Sequence, residues 1–398
     1  MADAPRAHRA PDGPTAFVWS DDLLWYDFGP GHPMAPVRIE LTRDLVRALA
    51  LPDVVEIGVE DVDDDLLTLV HDPAFVEAVK AGARGEPDEA RGIGTEDTPM
   101  FPEMHAAAAR TVGSTLAAAR WVWSGAGPHA VSVAGGMHHA MPDRASGFCV
   151  YNDVAVSIRW LLAQGAERVA YVDLDAHHGD GVERAFWDDP RVLTISVHES
   201  GLTLFPGTGF ASDVGGSGAE GYAVNVALPA RTRGNAWLRA VEAIVAPLLA
   251  EFAPDVLVSQ HGADSHMGDP MTNLRVSVDH QLAAAVLMRD LASAHAGNRW
   301  IATGGGGYTV VEVVPRVWAG LTAIAAGAAP DLDAELPRAW VEEVESRLRI
   351  AAPQHWSDGL AVELKRFAEG YDPADDVDRT ILATRTAVFP LHGLDPSW

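Results

Sequence analysis

The sequence predicts an α/β fold in which a mostly parallel sheet carries helices on both faces. Short, apolar, β-branched runs alternate with longer stretches of helical periodicity, the order expected of βαβ units. Several of those runs also stop at a cluster of glycine and polar residues, and in parallel sheets ligand sites gather beyond such strand ends.

The runs read as buried strands are 130–134, 169–174, 192–197, 256–260 and 300–303, each short and rich in β-branched residues. Between them, 103–123, 154–163, 236–252 and 278–295 repeat their apolar residues with helical spacing, several being rich in alanine, the strongest helix former. Glycine-rich 81–97 and 203–221 read as surface loops. No internal repeat or long low-complexity linker divides the 398 residues, so 15–398 is expected to be one domain. Segment 1–14 mixes charge, proline and small residues and is expected to be disordered.

With 48% apolar residues the chain can bury a sizeable core. Its 56 acidic against 29 basic residues give a formal charge of −27, which opposes nucleic acid and anionic lipid and favours a cationic partner. The single cysteine, Cys149, rules out an intrachain disulfide and a cysteine-based zinc site. Segment 1–14 has no apolar core and no run approaches the ~20 apolar residues that span a bilayer, so neither a signal peptide nor a membrane anchor is expected. The expectation is a cytoplasmic protein with no membrane or nucleic-acid partner.

Four strand ends carry the chemistry: Val133-Ala-Gly-Gly-Met-His-His139, Val172-Asp-Leu-Asp-Ala-His-His178, Ser259-Gln-His-Gly-Ala-Asp264 and Ala302-Thr-Gly-Gly-Gly-Gly-Tyr308. Asp173, Asp175 and His177 share one period-two face of a strand and its continuation. Buried carboxylates there need pairing, hydrogen bonds or a cation. Asp175 and His177, joined by Asp264, offer two oxygens and a nitrogen to a metal while leaving a coordination position open, as a catalytic zinc requires. An Asp-x-His pair alone would more often be a surface loop; the accompanying motifs reverse that balance.

Hydrolysis by metal-activated water needs a proton acceptor, a donor to the leaving group and a stabiliser of the oxyanion. His138 and His139 are the candidate acid and base, with Asp173 and Asp180 as the partners that orient their rings. The glycines at 304–307 let a loop come close and deliver the Tyr308 hydroxyl. Phe148 and Phe205, set in loops, suit the walls of a channel.

Seven ordered motifs, from Tyr26-Asp-Phe-Gly-Pro-Gly-His-Pro-Met-Ala-Pro-Val-Arg38 through Gly135-Gly-Met-His-His-Ala140, Gly147-Phe-Cys-Val-Tyr-Asn-Asp153, 173–181, Phe205-Pro-Gly-Thr-Gly209 and Gly262-Ala-Asp-Ser265 to the glycine-tyrosine loop, resemble the histone deacetylase family. The likeness is strongest to its bacterial acetoin-utilisation branch. It implies an open three-layer αβα domain of the arginase-deacetylase type, with a parallel sheet of about eight strands. It also implies zinc, or ferrous iron, on Asp175, His177 and Asp264. His138 is then paired with Asp173, His139 is the general base and acid paired with Asp180, and Tyr308 stabilises the oxyanion.

The resemblance further implies an acyl-lysine tunnel walled by Phe148 and Phe205, with Gly147 and Met271 near it and Asp97 as a rim carboxylate. One structural potassium ion would use Asp173 and Ser196 side chains with backbone oxygens of Asp175, His177 and Val197. A second would sit among Phe186, Asp189, Val192 and Tyr222. His266 departs from eukaryotic class I patterns and matches the bacterial branch. The expected activity is hydrolysis of acyl-lysine amides on a protein substrate, acetyl-coenzyme A synthetase being the natural candidate. Acetylated polyamines are the alternative substrate, and a non-catalytic acyl-lysine binding module the lower-ranked one. A two-manganese ureohydrolase would need more aspartates than these motifs provide.

Overall fold

The computed structural model describes residues 13–397. The expected disordered segment 1–14 therefore lies, apart from Gly13 and Pro14, outside the described residues. Among those described, eight strands form one sheet: β1 (Thr15–Val18), β2 (Val54–Ile57), β3 (His129–Ser132), β4 (Val169–Asp173), β5 (Val192–Glu199), β6 (Ala223–Leu228), β7 (Val256–Gln260) and β8 (Trp300–Thr303). Their order is β2-β1-β3-β8-β7-β4-β5-β6, and every neighbouring pair is parallel.

Period-two alternation divides the strand side chains between two cores. Val169 and Tyr171 of β4 join Val192, Val256, Val258 and Ile301 on one face, under helices Met104–Ser124 and Asp153–Ala163. Ala170 and Val172 join Leu193, Ile195, Val224 and Leu257 on the other, under helices Gly234–Phe252, Val278–His295 and Val314–Ala325. Strands buried on both faces are why these runs read as continuously apolar. The result is the expected three-layer architecture.

The five strands and four helices expected from the sequence are present, with ends shifted by at most two residues. Strands β1, β2 and β6 were not expected. Of these, β2 is an edge strand with half its side chains exposed and so carries a weak apolar signal, whereas β1 is fully buried and as long as β3 and β8. Strand β6 is interrupted by the polar Asn225. Among the described residues no helix is long and apolar enough to cross a membrane.

One feature of the strand order decides where the site forms. Strands β7 and β8 insert between β3 and β4, so the four strands that end in polar motifs are four consecutive neighbours at the middle of the sheet.

Candidate active site

The turn after β4 brings Asp175 and His177 to the C-terminal end of the central strands, and the turn after β7 brings Asp264 opposite them. All three are buried, and their ligand atoms lie within 4.8 Å of one another. His177 Nδ1 is 3.1 Å from Asp175 Oδ1 and 2.9 Å from Asp264 Oδ2. The outward oxygens are already committed. Asp175 Oδ2 accepts from the Gln260 amide (2.7 Å) and the Gly306 N–H (2.8 Å), and Asp264 Oδ1 accepts from the Ala176 N–H (2.9 Å).

Burial and the charge of Asp175 push Asp264 up to about 7, while His138 and His177 hold Asp175 well below the usual carboxylate range against the same burial. The two carboxylates likewise overcome burial and push His177 up from its usual value. Two buried carboxylates this close need a cation or a shared proton, and two carboxylate oxygens and an imidazole nitrogen are a donor set suited to zinc or ferrous iron. Three protein donors also leave room for water or substrate on the ion.

The two histidines of the β3 turn share one pocket but not one state. His138 Nδ1 bonds Asp173 Oδ2 at 2.8 Å, and His139 Nδ1 bonds Asp180 Oδ1 at 2.7 Å, with ring centroids 4.0 Å apart. Burial opposes charge on His138, but Asp173 and Asp175 overcome it and push the ring up to about 9. Burial and the neighbouring His138 bring His139 down to about 4, so at neutral pH its Nε2 is a free base. His139 in turn holds Asp180 below the usual carboxylate range, against that residue's burial.

The β3 turn has its own scaffold. Asp153 accepts from the Gly136 and Met137 N–H groups, and the Asn152 amide donates to the carbonyls of His138 and Ala140. His71 fixes Asn152 in turn. Its Nε2 accepts from the Asn152 N–H (2.9 Å), so its proton sits on Nδ1, donated to the Met141 carbonyl (3.1 Å).

Tyr308 enters from the β8 turn. Gly306 is required there because a Cβ would sit 2.1 Å from Asp264 Oδ2. The buried Arg38 donates to the carbonyls of Gly305 (2.8 Å) and Gly307 (3.3 Å), fixing the loop from behind. Burial, with Asp264 and Asp175 nearby, keeps the Tyr308 phenol protonated and able to donate. His138, His139, Asp175, His177, Gly306 and Tyr308 all line one cavity of about 10 Å³ at the floor, roughly the room a single water needs.

Above the floor, Phe148 packs edge-on to Tyr308 (5.8 Å) and Phe205 edge-on to His139 (5.0 Å), so both aromatics border the site. Gly147, at φ +53°, lies so close that a Cβ would be 2.4 Å from His139 Cδ2. The exposed Asp97 accepts from the Gly147 N–H at 2.9 Å, which puts it at the mouth, and half-buried Met271 follows the Asp264 turn. Asp173 and Ser196 are register partners on β4 and β5, with Val197 next in the strand. Around Phe186, Asp189 and Val192 the chain turns through its own backbone bonds, and the Tyr222 carbonyl accepts from Thr194.

Sequence reasoning left Arg38, His71, Asn152, Asp153 and Gln260 without roles. Four of them lie inside or beside the quoted motifs, and a buried amide or carboxylate at a turn was the available signal.

Residues 32–325 match the family model described as the histone deacetylase domain. The chain is 41% identical over 349 residues to the acetoin utilization protein AcuC of Bacillus subtilis (strain 168), covering 86% of this chain and 90% of that protein. The AcuC proteins of Staphylococcus xylosus and Staphylococcus aureus (strain MRSA252) are each 35% identical, over 86% and 87% of this chain and 90% of each relative. The matched residues 32–325 contain the four polar strand ends at 133–139, 172–178, 259–264 and 302–308. The chain belongs to the histone deacetylase family and is a hydrolase of the deacetylase type.

Proposed function

We propose that the enzyme hydrolyses acyl-lysine amides on proteins, acetyl-lysine foremost, releasing acetate and free lysine. The observation that carries this reading is one small cavity lined by Asp175, His177, His139 and Tyr308, with Asp264 beside the first two as a third donor and Asp180 bonded to His139. A zinc or ferrous ion held by those three donors would supply Lewis acidity, polarising the amide carbonyl and making water a better acid.

The chain's own groups account for the rest. Neutral His139 takes the proton of the attacking water at Nε2 and returns it to the departing lysine nitrogen. Asp180 keeps the other ring nitrogen protonated and the ring aimed. Charged His138 raises the positive potential where negative charge develops, and the Tyr308 hydroxyl donates to the oxyanion. Phe148 and Phe205 flank the uncharged acyl-lysine stem, Gly147 and Met271 border it, and Asp97 accepts from the substrate backbone at the rim.

Two structural potassium ions belong to this reading. Asp173, Asp175, His177, Ser196 and Val197 would hold one, and Phe186, Asp189, Val192 and Tyr222 the other. The formal net charge of −27 favours basic sequence around the target lysine, in a cytoplasmic protein such as acetyl-coenzyme A synthetase.

The test is turnover on a panel of acyl-lysine peptides and acetylated polyamines, before chelation, after it, and after metal is restored. Peptide turnover lost and regained with metal is expected. A clear preference for polyamines would move the protein to the small-molecule amidohydrolases.

A further inference from the structure

His266, two residues beyond Asp264, is used by none of the roles above. Its ring is 7% exposed, and both nitrogens are bonded. Nδ1 accepts from the Gly268 N–H (3.0 Å), so the proton is on Nε2, which donates to Asp358 Oδ2 (2.9 Å). Asp358 lies in the C-terminal segment, beyond residues 32–325 that match the family's domain. It is itself held from three sides, by the Arg316 guanidinium (2.9 Å), the Val278 N–H (2.8 Å) and Asp279, which accepts from the Asp358 N–H (3.0 Å).

The turn that His266 closes leads directly to the tyrosine loop. The Asp269 N–H donates to the His266 carbonyl (2.9 Å). Asp269 then accepts the Tyr308 N–H on Oδ2 (2.8 Å) and the Met271 N–H on Oδ1 (3.0 Å). The Thr309 hydroxyl donates to the Gly268 carbonyl (2.9 Å). The four glycines before Tyr308 offer no side chains by which the loop can be held, so its position depends on such bonds to the backbone.

We infer that Asp358, acting through His266 and Asp269, is a positioning residue for the Tyr308 hydroxyl, so that the C-terminal segment sets how well the active site stabilises its oxyanion. This rests on the role proposed above for Tyr308. Loss of the Asp358–His266 bond loosens the 266–269 turn, and the tyrosine with it. Since a misplacement of ~1 Å can cost roughly a hundredfold in rate, the expected effect falls on kcat.

The experiment compares Asp358→Asn and Asp269→Asn in the wild-type chain and in Y308F, with KM, bound metal per chain and hydrogen exchange of the Tyr308 and Thr309 amides measured alongside. Expected in the wild-type chain is a fall in kcat of about ten- to a hundredfold, with KM and metal content unchanged and exchange at Tyr308 accelerated. In Y308F neither substitution lowers kcat further, since residues that act as a unit are not additive. Fully additive losses, or an unchanged Tyr308 exchange rate in folded D358N, would overturn the inference. Should Asp358→Asn not fold, His266→Gln, which replaces the fixed ring with a flexible amide, carries the same expectations. If Tyr308→Phe alone leaves kcat unchanged, the oxyanion role fails, and the exchange rate of the Tyr308 amide still decides whether Asp358 holds the loop.

Discussion

The floor and the mouth of the site are built differently. At the floor, Asp173, Asp175 and Asp264 are wholly buried, and each carboxylate accepts at least one backbone N–H as well as its imidazole partner. At the mouth, Phe205 is 46% exposed, and Asp97 is held to Gly147 by a single backbone bond. A floor whose dipoles are already aimed loses little to reorganisation during reaction, and that is where electrostatic catalysis is strongest. Loops at the mouth can change residues at little cost to stability, and so they carry the choice of substrate. Chemistry is fixed by the strand ends, while substrate preference is left to the loops.

The largest effect should come from the floor. Asp264→Ala removes a metal donor and leaves Asp175 and His177 facing a gap, so both bound metal and turnover are predicted to disappear; metal analysis of the purified variant, paired with the peptide assay, checks this. Next is Tyr308→Phe, which deletes one donor and is predicted to lower kcat by roughly 10²–10³-fold with metal retained. Unchanged turnover would remove Tyr308 from the mechanism.

Phe205→Ala tests the mouth. It is predicted to raise KM for acyl-lysine peptides by roughly three- to tenfold, the loss of one half-exposed apolar contact, while kcat stays near wild type. A drop in kcat as large as that of Tyr308→Phe would erase the distinction between floor and mouth.

The smallest effect is on stability. Burial brings His71 down to about 4, and a proton on its Nε2 would face the Asn152 N–H. Between about pH 6.5 and 4 the unfolded chain binds a proton there that the folded chain refuses, so stability is predicted to fall as pH drops through that window. Melting midpoints should decline less steeply across it in His71→Gln than in wild type. Equal slopes would mean that His71 does not hold the β3 turn as its neutral tautomer.

What could be learned from the sequence alone was local in origin. A buried strand announces itself by its own apolar run and a helix by its own period, which is why β3, β4, β5, β7 and β8 were legible while the half-exposed edge strand β2 was not. Asp175 and His177 were legible for a related reason, since a carboxylate and an imidazole at the end of an apolar strand need a cation or a partner. The tertiary structure decided what those residues meet. Insertion of β7 and β8 between β3 and β4 sets Asp264 and Tyr308 against Asp175 and His139. The supporting bonds, such as Arg38 to Gly305, His71 to Asn152 and Asp358 to His266, join residues 267, 81 and 92 positions apart. A hydrogen bond across that distance leaves no periodicity in the chain on either side of it, so only the folded arrangement reveals it.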